Sequence, residues 1–161
     1  MGFVVFTRVE ANYKNNPAIR NLLRYVIYEK GYKKKFKYWG ARNLPKDEEK
    51  AFREIITLQK LLGSNNGRLM HQFVLSLPIE IQDVKVAYIL AEALADYLGQ
   101  EYQLFYGVHT DEPNLHIHVA INSVSFKTGR KWHKKGPEFQ KWCNQIIKMM
   151  EDVNDTIKMY I

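Results

Sequence analysis

Cysteine is almost absent. Cys143 is the only one in 161 residues, which excludes an intrachain disulfide and a cysteine-rich metal site. No apolar run is long enough to span a bilayer, and no secretory pattern is found. Phe6 stands where a myristoylation signal needs Ser or Thr. The expected location is therefore cytoplasmic, with no membrane segment. Internal repeats and low-complexity linkers are also lacking, so one domain over 1–161 is expected, long enough to bury a real core. Acidic residues are the scarcer charge: 17 against 24 basic ones give a net charge of +7 and a pI near 9.4. That balance suits a polyanionic partner, although a merely basic soluble protein has it too. Hydrophobic content of 46% and aromatic content of 13% exclude a disordered chain.

Three of the five histidines fall within ten residues, in His109-Thr-Asp111-Glu-Pro-Asn-Leu-His116-Ile-His118-Val-Ala-Ile-Asn122. From Leu115 on, apolar and other residues alternate, which predicts a half-buried strand. Its apolar face carries Leu115, Ile117, Val119 and Ile121, and its other face His116, His118, Ala120 and Asn122. The preceding segment, Glu101 to His109, alternates as well, and Asp-Glu-Pro-Asn is turn composition. If the two strands pair with His109 opposite His116, His118 sits opposite Gly107, which has no side chain to crowd it. The three imidazoles then share one face, with cross-strand neighbours about 5 Å apart. Three histidines on rigid strands are a donor set for one divalent cation. The alternative is that they are polar residues on a wet sheet face.

Phe3 to Glu10 is a strand. Pro17 opens a helix with Ile19, Leu22, Leu23, Val26 and Ile27 at helical spacing, and Gly31 ends it. Tyr25 lies at the flank of that apolar stripe and Tyr28 nearly opposite. Gly31 to Leu44 interleaves Lys33, Lys34, Lys35, Lys37 and Arg42 with Tyr32, Phe36, Tyr38 and Trp39, a composition that suits bases on rings and phosphates on cations. A solvated charged face has the same composition. Asp47 to Leu62 is helical, and Arg68 to Leu77 a strand with His71 on the face of Phe73, Leu75 and Leu77. Asp83 to Leu98 is an amphipathic helix stopped by Gly99. Ser125 to Lys135 is basic around the turn Lys127-Thr-Gly-Arg130, with Lys131 beyond it. His133 is a weaker ligand candidate. Pro137 opens a last helix to about Ile147 and beyond. The order suits an α+β fold, a mostly antiparallel sheet with helices packed against one face.

His-x-Asp, four residues, His-x-His, three residues, Asn resembles the third motif of plasmid mobilisation relaxases, the HUH endonucleases of the MobA-like, MOBP type. Leu23-Arg24-Tyr25-Val26 is similar to the family's aliphatic-basic-Tyr-aliphatic motif. His71, Ser76, Pro78 and Glu80 stand at the places of its second motif. The resemblance covers roughly Asn21 to His133. It implies a relaxase sandwich of two or three layers and site- and strand-specific DNA nicking at a transfer origin. It further implies that Tyr25 attacks the scissile phosphate and forms a 5′-phosphotyrosine, with Tyr28 the second candidate. His109, His116 and His118 would hold Mn²⁺ or Mg²⁺, while imidazole also suits Zn²⁺, Ni²⁺ or Co²⁺. Asp111 would orient a histidine or accept the tyrosine proton. Arg24, Lys33, Lys34, Lys35, Tyr38, Trp39, Arg42, Ser76, Lys127, Arg130 and Lys131 are the expected DNA contacts. The expected partners are single-stranded or origin-of-transfer DNA and accessory relaxosome proteins. Relatives of this type usually carry further domains after the nuclease. Two other readings stay open: an HUH replication initiator, for which Tyr160 is the only tyrosine after the His-x-His, and a non-catalytic metal-stabilised DNA-binding module.

Overall fold

A computed structural model describes residues 5–160. Phe3 and Val4, expected in the first strand, lie outside the described residues. The elements run β1 (Val5–Arg8), α1 (Asn16–Ile27), β2 (Trp39–Arg42), α2 (Glu48–Leu61), β3 (Met70–Ser76), α3 (Val84–Leu98), β4 (Leu104–His109), β5 (His116–Asn122) and α4 (Gly136–Lys158). All pairings are antiparallel, in the order β1-β3-β5-β4-β2. The β4–β5 register is the one the histidines suggested: His109 faces His116, and Gly107 faces His118.

Helices cover both faces of the sheet, so the sandwich has three layers and the expectation of helices on one face is corrected. Leu104, Tyr106, Val108, Ile117, Val119 and Ile121 join α3 and α4 in one core. Phe105 and Ala120, which alternate to the other side, join α1 and α2 in a second. All six residues of β4 are buried, as expected for a strand enclosed on both faces. Burying a side chain such as Leu23 or Val26 on α1 contributes about 2 kcal/mol.

Local chemistry sets the helix starts. The Asn15, Asp47 and Asp83 side chains accept from the backbone N–H of Ala18, Lys50 and Lys85, each at 2.9 Å. The end of α1 differs from the expected stop at Gly31. The helix closes at Ile27, and Tyr28 turns to extended backbone (φ −105°, ψ 145°) while its N–H still bonds Arg24 O. Tyr28 then bridges to Lys35, and Glu29 N–H bonds Lys34 O at 2.9 Å, so residues 28–35 form a tight hairpin-like loop. At its tip Gly31 (φ 88°) and Tyr32 (φ 58°) adopt left-handed backbone, which Gly31 accepts without strain and Tyr32 does not. Beyond the loop the basic segment contributes the edge strand β2, which the sequence reading missed.

Candidate active site

The end of α1 rests directly on the middle of β4. Gly107 permits this: a β-carbon there would run into the Val26 carbonyl oxygen. Its bareness therefore makes room for helix backbone, not only for the His118 ring. The close approach has two consequences. Val26 O lies 2.8 Å from His109 Nε2. Tyr25, one residue earlier, turns its ring toward the histidines, with centroids 5.8 Å from His109 and 5.6 Å from His118. Tyr25 remains 45% exposed, so it is supported on one side and accessible on the other.

His109 and His118 stack at 3.7 Å with their planes 15° apart, and Phe36 stacks on the outer face of His109 at 4.1 Å. Phe36, expected among the base-stacking aromatics, is instead a buried wall of this site. His116 is half-buried, with its ring 6.3 Å from His118. Burial pushes His109 down to about 4 and His118 to about 2, so both rings are neutral near pH 7. Each has one nitrogen committed to a carbonyl oxygen, which can only accept. His109 therefore carries its hydrogen on Nε2 and leaves Nδ1 bare. His118 donates from Nδ1 to Gln72 Oε1 at 2.9 Å and leaves Nε2 bare. Among the described residues no three His, Cys, Asp or Glu side chains converge as a ready-made metal cage. The donor chemistry nevertheless fits a divalent cation: neutral imidazoles with free ring nitrogens on one sheet face, in a cleft also lined by Glu29, Asp111 and Glu112.

That cleft encloses about 280 Å³ and is lined by Tyr25, Tyr28, Tyr32 and all three histidines. A second groove of about 430 Å³ adjoins it, sharing Tyr25, Tyr32 and His118 and adding Asn12, Tyr13, Asn21 and Gln72. Tyr25 thus stands between two concavities. Its phenol is pushed above the usual tyrosine range, chiefly by burial and next by the negative charge of Asp111.

The other expected residues divide between this site and the rest of the fold. The Tyr28 hydroxyl donates to Glu48 Oε1 at 2.6 Å, and the same carboxylate holds Arg24 (3.7 Å) and Lys35 (3.6 Å). Lys34 pairs with Glu29 at 3.7 Å, while Lys33 is exposed. Trp39 has the ammonium groups of Lys35 and Lys46 over its ring, at 4.9 and 4.6 Å, and packs on Phe105. Ser76 pairs with His116 across the β3–β5 ladder, at the site's end of the sheet. Three expected DNA contacts are engaged within the fold. Tyr38 points to the opposite face and stacks on Tyr88 at 4.8 Å. Arg42 donates to Asp96 at 2.7 Å and covers the Tyr106 ring. Lys131 is tied to the carbonyls of Asn66 and Arg68. Lys127 and Arg130 are exposed, but their turn follows the Asn122 end of β5, about 13 Å or more from His118.

Asn122 belongs to that remote end too. Its Oδ1 accepts from Gln59 Nε2 at 2.9 Å, and its Nδ2 donates to Gln103 Oε1 at 2.9 Å, in a buried network that ties α2 to the sheet. Asp111, expected to orient a histidine, hydrogen-bonds neither His109 nor His118; Val26 O and Gln72 do so. Gln72 was missed, although period-two alternation places it on the same face as Ser76. Val26 O, a backbone atom, has no signature in sequence.

The half-exposed Tyr25 and the neutral histidines thus share one cleft of a three-layer sandwich. Residues 25–155 match the family model described as Relaxase: MobA/VirD2-like, nuclease domain, and the chain belongs to that family of DNA relaxases. It is 31% identical over 89 residues to Protein rlx of Staphylococcus aureus, a match that takes in 54% of this chain and 28% of that protein. The fold is similar to a solved structure described as "Molecular Basis of Vancomycin Resistance Transfer in Staphylococcus aureus", with a TM-score of 0.56 and 16% identity over 94% of this chain and 90% of that one. No helix of the described residues is long and apolar enough to cross a membrane.

Proposed function

We propose that this domain nicks one strand of DNA at a transfer origin, in the cytoplasm, by transesterification through Tyr25, in the service of plasmid mobilisation. The observation that carries the reading is the placement of Tyr25: its ring packed at an angle against the stacked His109–His118 pair, about half exposed, between two adjoining concavities. In the step proposed, Tyr25 Oη bonds to the scissile phosphorus. The bond from phosphorus to the 3′ oxygen breaks, and that oxygen leaves as the 3′-hydroxyl, taking up a proton from water. The ester energy is retained in the phosphotyrosine, so the strand can later be rejoined. Asp111 is the proposed acceptor of the phenolic proton. It lines the cleft with Tyr25, and the orienting contacts to His109 and His118 are made by other groups.

His109, His116 and His118 would hold a divalent ion, Mn²⁺ or Mg²⁺ in use, with Zn²⁺, Ni²⁺ and Co²⁺ also suited to imidazole. Such an ion, when bound, offsets the negative charge that builds on the phosphate. Because both buried rings are neutral, none of the ion's charge would be cancelled by its ligands. Arg24 and Lys35 share the Glu48 carboxylate with Tyr28, Lys34 pairs with Glu29 of the cleft, Trp39 carries Lys35, Lys33 follows in the same exposed loop, and Ser76 faces His116. These are the residues proposed to meet the DNA, with accessory relaxosome proteins as further partners.

The test is a covalent adduct. Wild type incubated with Mn²⁺ and single-stranded DNA carrying the cognate origin should give a band that survives denaturation. Tyr25→Phe, which removes one oxygen and keeps the ring, should bind the same DNA and form no adduct. Tyr28→Phe loses a hydrogen bond to Glu48 and should still form it. An adduct from Tyr25→Phe at the wild-type rate would refute the assignment.

A further inference from the structure

Gln72 sits on β3 opposite Ala120 of β5, two residue pairs from the Val74–His118 pair and on the same face of the sheet. Ala120 is small, so the Gln72 side chain can reach diagonally to His118, the separation at which long side chains still meet. It does so with Oε1, 2.9 Å from Nδ1. Gln72 and His118 are 4% and 8% exposed, so water does not compete for this bond. The other end of the amide is used as well: Gln72 Nε2 donates to the Tyr13 hydroxyl at 3.0 Å. Tyr13, half-buried at the wall of the second groove, thereby holds the amide from behind. The result is a chain of aligned donors, imidazole to amide to hydroxyl, in which each bond polarises the next.

We propose that Gln72 is a positioning residue of this site: it holds the His118 ring in the tautomer whose bare Nε2 faces a divalent cation, and Tyr13 anchors it in that orientation. The proposal rests on the cation reading given above. An acceptor on Nδ1–H fixes ring orientation and raises the basicity of Nε2. His109 obtains the same service from Val26 O, so the two stacked imidazoles are clamped by different means, one by backbone and one by a side chain that substitution can remove. A merely structural Gln72 would fill space and satisfy Tyr13, and any residue of similar volume would serve.

The decisive measurement is the tautomer of His118 in the metal-free protein, read from long-range proton–nitrogen spectra of ¹⁵N-labelled wild type and assigned with His118→Ala. The expected state carries the hydrogen on Nδ1. Gln72→Leu should shift the ring toward the Nε2–H form and weaken Mn²⁺ binding, measured by calorimetry, about 10- to 100-fold. Gln72→Glu keeps an acceptor for Nδ1–H and should recover most of that loss, a rescue that space-filling does not provide. Should Gln72→Leu fail to fold, the wild-type spectrum and Gln72→Glu carry the test. An Nε2–H ring in wild type, or wild-type Mn²⁺ affinity in folded Gln72→Leu, would overturn the proposal. Wild type that binds no Mn²⁺ would instead overturn the cation reading, and the tautomer spectrum would still decide whether Gln72 holds the ring.

Discussion

Acid should unfold this domain steeply, and His71 isolates one part of the reason. The ring lies in the α3–α4 core, 4.7 Å from Trp132 and 6.1 Å from Phe73 between centroids. Its Nδ1 has no hydrogen-bond partner among the described residues. Burial first, and then the charges of Arg68 and Arg8, push it down from 6.5 to about 3. The unfolded chain takes up the proton near pH 6.5 and the folded protein does not, so stability is full above that value and falls as pH drops toward 3. Each pH unit well below 6.5 costs about 1.4 kcal/mol per such group, or about 2.3 kcal/mol in all between pH 6.5 and 4.5. His109 and His118 share the direction, and together the three steepen the fall to about 4 kcal/mol per unit, against a total stability on the order of 5–15 kcal/mol. The assay is urea unfolding of metal-free protein at pH 7, 6, 5 and 4.5, for wild type and His71→Phe. The variant keeps a planar ring and lacks the titrating group, and the carboxylates are common to both proteins. Its loss between pH 6 and 4.5 should be smaller by about 2 kcal/mol. Parallel curves would show that His71 accepts a proton in the folded state and that the reasoning from burial fails.

Two further outcomes follow from the geometry. Gly107→Ala should push the end of α1 off β4, costing about 2–3 kcal/mol in thermal unfolding and abolishing the covalent adduct; an unchanged melt would mean that α1 does not rest there. Neutralising Lys33, Lys34 and Lys35 together should flatten the slope of affinity against salt for a short single-stranded oligonucleotide by about 2, whereas Lys127→Ala with Arg130→Ala, at the remote end of β5, should leave it unchanged. Equal losses from the two sets would place the strand elsewhere.

The readable parts of the molecule are those where one residue's neighbours in sequence are also its physical context. Alternation along Leu115–Asn122 sufficed for the strand and for the common face of His116 and His118, and the register supposed from His109 and the bare Gly107 is the one observed. Asp47 and Asp83 marked the helix starts because capping acts over three residues. What stayed hidden depends on distant partners. Helical spacing extends to Tyr28 in the sequence, but the helix ends one residue earlier and Glu48, 20 residues on, takes its hydroxyl. Arg42 and Tyr38 were read as a basic-aromatic surface, yet α3 claims both. Alternation also could not tell a wet face from one covered by a second helical layer, since Phe105 and Ala120 are too few to signal it.

Tyr25 and Val26 are consecutive residues on the last turn of α1. One carries the proposed nucleophile, and the other, through its carbonyl, grips the ring of His109. Any tilt, slide or thermal oscillation of that helix moves both as one body. The separation between the Tyr25 and His109 rings is thereby buffered against small movements of the helix, as a signal is when noise enters both inputs of a differential amplifier. His118, clamped from β3 by Gln72, has no such protection from α1. Disorder in the helix would therefore register first as a change in the spacing of the two stacked imidazoles, well before it altered the pairing of Tyr25 with His109.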